Sequence, residues 1–293
     1  MGSTDVTENQ RRFKALNRFR RVFVSRGLVI FGVVVILSTL FTAIFAPLIA
    51  PYDPYKQDLY NTLLNPSKAH LLGTDDLGRD TLSLVIFGSR ASLVVGTVAI
   101  GMAALFGMSL GLIAGYFGGV TNLLIMRFID ALMAFPLILK ALIISALLGG
   151  GLRDVVIALG IGLIPNYTRM MCGQVLSVMG NDYITAAHAM GSGTVRIMLR
   201  HLAPNAFAPM IVLMTMMMGH AILAEAGLSF LGVGIEPPGA AWGAMVADGY
   251  QYLLTNPMLS VGPGFSIMLL VFSFNMVGDG LRDALDPRLR GKL

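Results

Sequence analysis

Cysteine occurs once in this 293-residue chain, at Cys172, so neither an intrachain disulfide nor a thiolate metal cluster can form within it. Charge is scarce too: Asp, Glu, Lys and Arg make up 13% of the residues against 55% hydrophobic, and the mean hydropathy is +0.74. A soluble globule of this size needs more polar surface than that. The chain is therefore read as an integral membrane protein. Its four histidines, His70, His188, His201 and His220, are scattered over an external loop, the 182–204 loop and one apolar span, which argues against a metal pathway. No G-x-x-x-x-G-K-[ST] run occurs, so ATP has no phosphate loop to bind here. The net charge of +5 comes without aromatic interleaving or a basic groove, which disfavours nucleic acid.

What is present is a set of long apolar runs. Crossing a hydrocarbon core of about 30 Å takes ~20 helical residues. Runs of that order lie at 28–50, 91–117, 123–148, 155–172, 206–228 and 259–281, the last interrupted by Gly262, Pro263 and Gly264. Six transmembrane helices are expected. Lysine and arginine accumulate on cytoplasmic flanks. Placing the basic tail inside puts Arg11, Arg12, Lys14, Arg127, Arg169, Arg196, Arg200, Arg282 and Arg288 there, and leaves Lys56, Lys68, Arg79, Arg90 and Arg153 outside. Both termini are then cytoplasmic in a multi-pass protein of the plasma membrane, in contact with lipid. The first run is too long for a cleaved signal and is expected to remain as an anchor. The division read from these patterns is a tail at 1–27, a first span at 28–50, an extracytoplasmic segment at 51–89, a five-helix core at 90–283 and a tail at 284–293. Within the first tail, 11–26 fits either an amphipathic helix against headgroups or a disordered segment.

A polar stretch from Asp182 to Pro204 interrupts the apolar pattern. Asp182 can cap a short helix that exposes the small Ala186 and Ala187, Gly191 can end it, and a basic turn with Arg196 and Arg200 runs to a stop at Pro204. Two alanines, a glycine four residues after the second, and a proline thirteen beyond resemble the EAA loop of ABC importer permeases. That resemblance implies a cytoplasmic coupling helix docking on an ATPase, with Tyr183, Thr185, Ala186, Ala187, Met190, Gly191, Arg196, Arg200 and Pro204 as the contact set. The family usually has an acid where Thr185 stands.

Two further stretches point the same way. Gly73, Thr74, Asp75, Gly78, Arg79, Asp80, Ser83, Gly88 and Arg90 resemble the segment before the second helix of dipeptide, oligopeptide and nickel-type ABC permeases. Glu225, Leu228 to Gly232, Pro237, Pro238, Trp242 and Gly243 resemble a second motif of that group. On the residues alone, Asp75 or Asp76 caps a turn, Asp80 starts a short helix toward Gly88, and Arg79 and Arg90 are available for carboxylates or phosphates. The resemblance implies an all-α type I ABC importer permease fold, similar to the second permease of a di- or oligopeptide importer. It implies as partners a homologous permease, two ATPases carrying ATP and Mg, and an extracytoplasmic solute-binding protein. Asp75, Arg79, Asp80, Arg90, Glu225 and Trp242 are its binding-protein or gate candidates. No cofactor, metal site or catalytic residue is expected in this chain. A nickel or other small-solute importer is the alternative, and a secondary transporter a more distant one.

Gly107-Met-Ser-Leu-Gly111 matches a nucleophile-elbow pattern but sits in an apolar helix with no strand before it. It is read instead as part of a packing row, Gly107, Gly111, Gly115 and Gly119. Asp130 is expected beside Arg127, and Lys140 to snorkel. Methionines around Met214 are expected to pack or to line a permissive path, and Pro136, Pro165 and Pro209 to bend their helices.

Overall fold

A computed structural model describes residues 27–235 and 239–285. The expectations for 1–26, for Pro237 and Pro238, and for the basic residues of 286–293 lie outside the described residues. The architecture is all-α. Helix α1 spans Gly27–Ile44 and ends in a short turn at Ala46–Ile49. Helix α2 spans Thr81–Phe117, α3 Gly119–Met133, α4 Leu137–Leu148, and α5 Leu152–Met179. A short α6, Asp182–Ala189, precedes α7, Thr194–Phe230. Helix α8, Trp242–Tyr250, and α9, Met258–Leu285, complete the order.

Five of these helices are long and apolar enough to span a membrane, and α3 with α4 makes a sixth if the pair is one span bent by 88°. The straight span expected at 123–148 is thus broken. Pro136 supplies no N–H and forces the residue before it out of helical backbone, so the ladder stops at Met133 and restarts at Leu137. Lys140 does not snorkel out: its Nζ donates to the Leu132 carbonyl at 2.7 Å, satisfying one of the oxygens that the break frees. Pro165, Pro209 and Pro263 lie inside unbroken helices.

The second helix also departs from expectation, since it begins at Thr81 and passes Gly88 without stopping. Asp80 caps it, accepting from the Ser83 N–H at 2.8 Å, and a π-helical turn at Val95–Ala99 absorbs the change of register. The segment expected to be extracytoplasmic, 51–89, therefore ends at 80. The Gly107 row packs α2 on α5 as expected for its first three members. A Cβ at Gly111 would run into the Thr168 carbonyl oxygen, and one at Gly115 would lie 2.7 Å from a Val175 methyl. Gly119 does not belong to the row; it takes a φ of +47° in the turn into α3, with nothing nearby.

The chain thereby gains two polar ends. One, the cap end, carries 51–80 and α8; the other, the loop end, carries α6 and the start of α7. Buried clusters run between them, around Val95, Leu159 and Leu228 near the cap end and around Leu112, Val175 and Ile197 near the loop end.

Candidate functional site

At the loop end α6 lies across the bundle. Ile184 and Ala187 are buried, and Ile184 joins the cluster of Leu112, Val175, Ile197 and Leu202. Ala187 is thus not displayed, contrary to expectation: a helix lying on a bundle must turn one stripe inward, and Ile184 and Ala187 are three residues apart. The opposite face shows Tyr183, Thr185, Ala186 and Met190, the last 80% exposed. Asn181, not Asp182, stands at the cap position, and Asp182 occupies the first turn, where its charge suits the helix dipole.

The end of α6 follows the glycine expectation closely. The Gly191 N–H donates to the His188 carbonyl at 2.9 Å and the Ser192 N–H to the Ala187 carbonyl at 3.1 Å, the paired bonds of a Schellman motif. Gly191 has a φ of +77° there, with open space around it. The chain then enters α7 through Thr194, and Arg196 and Arg200 are exposed along its first turns. Pro204 does not stop it. A π-helical segment, Ile197–Leu202, precedes the proline and widens the ladder where an α turn would clash. Tyr116, which no sequence signal marked, clamps the loop: its ring stacks on His188 at 6.2 Å and its hydroxyl donates to Thr194 Oγ1 at 3.3 Å.

The cap end is a knot of hydrogen bonds. Asp75 Oδ1 accepts from the N–H groups of Leu77 and Arg79 at 3.0 and 2.7 Å, and its Oδ2 pairs with Arg79 Nε at 2.6 Å. His70 Nδ1 lies 2.9 Å from Asp80 Oδ1. Asn256, in the turn before α9, donates from Nδ2 to the Leu64 carbonyl at 2.9 Å, and the Tyr52 N–H reaches Ser83 Oγ at 3.1 Å. The side-chain amide of Asn61 and the Tyr60 N–H hold the Asp58 carboxyl below its ordinary range.

Most of the charged candidates here are built into the knot. Arg79 and Asp80 are buried, and Arg90 is not free for a ligand, because its Nε donates to the Ala43 carbonyl at 2.6 Å at the end of α1. That carbonyl belongs to the last turn of a helix and has no ladder partner of its own. Trp242 is buried, donating from Nε1 to the Val85 carbonyl at 2.8 Å, with its ring over Gly88. Glu225 is buried and accepts from Ser229 Oγ at 2.7 Å. Asp76 and Asp248 remain exposed beside a small cavity of about 30 Å³.

Between the two ends Asp130 meets Arg169 of α5 at 2.5 Å, rather than Arg127. Near the loop end α5, α7 and α9 flank an open cavity of about 740 Å³, lined among others by Met170, Gln174, Asn205, Pro209, Met216 and Arg282. Gln174 and Asn205 carry no motif, and only the helix packing brings them together. Of the methionines crowding α7, Met216 faces this cavity, whereas Met214, Met217 and Met218 pack around Ala221 and Tyr167.

Residues 107–291 match the family described as "Binding-protein-dependent transport system inner membrane component". This chain belongs to that family. Residues 15–66 also match the "N-terminal TM domain of oligopeptide transport permease C". Among curated proteins, the dipeptide transport system permease DppC of Alkalihalophilus pseudofirmus is 42% identical over 95% of this chain and 92% of its own length. The di/tripeptide transport system permease DppC of Pseudomonas aeruginosa is 41% identical over 94% and 93%. The glutathione transport system permease GsiD of Pectobacterium atrosepticum is 38% identical over 93% and 91%. Two solved structures of the inward-facing MetNI methionine ABC transporter share the fold, with TM-scores of 0.56 and 0.58 at 20% and 19% identity. They cover 69% and 70% of this chain and 97% and 98% of theirs. The chain is accordingly a multi-pass inner-membrane permease with the type I ABC importer fold.

Proposed function

We propose that this chain is one of two permeases in an ATP-driven importer of di- and oligopeptides. It pairs with a homologous permease and takes peptide from an extracytoplasmic binding protein. Two cytoplasmic ATPases bind ATP and Mg, and this chain hydrolyses nothing itself. The observation that carries the reading is α6, an amphipathic helix held across one end of the bundle with Tyr183, Thr185, Ala186 and Met190 turned outward. Its Schellman end and the Tyr116 clamp make it stiff enough to pass an ATPase movement into α5 and α7. Relatives named for dipeptide and peptide transport support the substrate class.

In this reading the loop end is cytoplasmic, in keeping with Arg196, Arg200 and Arg282 there. Tyr183, Thr185, Ala186, Met190, Arg196 and Arg200 touch the ATPase, while Ala187, Gly191 and Pro204 shape the surface that does so. The cap end meets the binding protein through the exposed Asp76 and Asp248. Asp75, Arg79, Asp80, Arg90, Glu225 and Trp242, each bonded within the fold, hold that surface in place. The test is reconstitution of this chain in liposomes with its homologous permease, ATPases and binding protein. Dipeptide uptake should require ATP, the binding protein and all the subunits. Uptake by this chain alone, without an ATPase, would overturn the proposal.

A further inference from the structure

The 740 Å³ cavity between α5, α7 and α9 has a size suited to a small peptide, within the ~300–1,000 Å³ range of ligand pockets. Its lining is chemically uneven. Met170, Pro209, Val212, Leu213 and Met216 make apolar walls that provide shape without selecting a side chain. Among the described residues, one cation, Arg282, and two amides, Gln174 and Asn205, line that frame.

Arg282 is exposed and makes no hydrogen bond or ion pair with any described residue, and among the described residues no carboxylate lines the cavity. The carboxylates nearest to it along α9, Asp279 and Asp283, are not in the lining. A guanidinium offers a planar fork of N–H donors matched to a carboxylate, and here it stands in a frame whose other walls are mostly apolar. Asn205 donates its Nδ2 hydrogen to the His201 carbonyl at 2.6 Å, which leaves its oxygen as an acceptor. Gln174 can both donate and accept. One anion anchor plus amide donors and acceptors is the complement of a peptide chain ending in a free carboxylate.

We propose that this cavity holds a peptide in transit by its C-terminal carboxylate, with Arg282 as the anchor and Gln174 and Asn205 serving the peptide backbone. The inference rests on the peptide-import reading and adds a subsite to it. The competing account is that Arg282 serves topology alone, answering to lipid headgroups and to the C-terminal dipole of α9.

The test uses the full importer, in nanodiscs for labelling and in liposomes for uptake, with Cys172→Ala as background and Ala208→Cys as a reporter in the cavity wall. Labelling rates are measured with an anionic sulfonate methanethiosulfonate and its cationic trimethylammonium counterpart, each normalised to its rate with a small free thiol. An Arg282 field focused by the cavity should favour the anion by about tenfold or more. Arg282→Gln should bring the ratio to near one, and Arg282→Lys should keep most of it. Alanyl-alanine should protect the reporter, and its C-terminal amide should not. A ratio near one in the reporter protein, a ratio that survives Arg282→Gln, or equal protection by acid and amide overturns the subsite. Because the ratio and the acid-versus-amide comparison need no change at Arg282, a misfolded variant does not spoil the result. Intact peptide uptake without the charge preference sinks the subsite alone. A persistent preference in an importer that takes up no peptide sinks peptide import and leaves an anion subsite.

Discussion

A methyl group at Gly111 would run into the Thr168 carbonyl oxygen and stand 2.7 Å from Met171 Cβ, so α2 and α5 would have to part to admit it. Overpacking of this kind costs about 1–3 kcal/mol, and here the neighbour is backbone, which yields least. At Gly119 the same methyl would meet nothing, and its cost is the positive φ alone, about 1 kcal/mol. Gly111→Ala is therefore expected to lower the melting temperature of the detergent-solubilised chain by more than Gly119→Ala does. Equal shifts would mean that the helix contact is slack. A second residue-scale expectation concerns charge. Asp248 is exposed on one side and lines the small cap-end cavity on the other, and burial raises its carboxyl above the usual range. Asp76 and Asp75 add to the rise and Arg79 opposes it. A folded-state value above the unfolded one penalises the ionised native form at neutral pH, and the penalty fades as pH falls through the folded value toward the ordinary carboxyl value of 3.8. Asp248→Asn should thus raise the melting temperature at pH 7 and change little below about pH 4. A gain of the same size at both pH values would exclude charge as its cause.

For α6 as an element, the decisive feature is how it ends. Gly191 sits in open space at a φ of +77°, so substitution there tests backbone conformation without a steric clash. Asparagine tolerates that region and a β-branched residue does not. Gly191→Asn is expected to leave ATPase copurification from membranes near normal, whereas Gly191→Val should reduce it severalfold with insertion intact. Full retention of the ATPase by the Gly191→Val protein would remove the Schellman end from the coupling mechanism. The broken pair α3 and α4 shows the same dependence of an element on one residue. Its 88° bend follows Pro136, yet Pro165 and Pro209 lie inside unbroken helices, so a proline by itself does not decide where a helix stops.

For the molecule as a whole, five of the six expected spans, the all-α class, the short helix ending at Gly191 and the cap at Asp80 could be read directly from residue order. Each is local: an apolar run needs only its own length to demand a membrane, and a cap or a glycine terminus acts within a turn. Three things needed the tertiary structure. Which of Ala186 and Ala187 faces outward depends on where the bundle lies beneath α6. Whether Gly88, Pro204 or the Gly262 to Gly264 run ends a helix depends on what packs beside it, as Trp242 does over Gly88. The convergence of Gln174, Asn205 and Arg282 on one cavity joins α5, α7 and α9 across more than a hundred residues of sequence. Short-range backbone chemistry is written in neighbouring residues, whereas burial, helix continuation and cavity lining are set by side chains brought together from distant positions, which only the packed fold specifies.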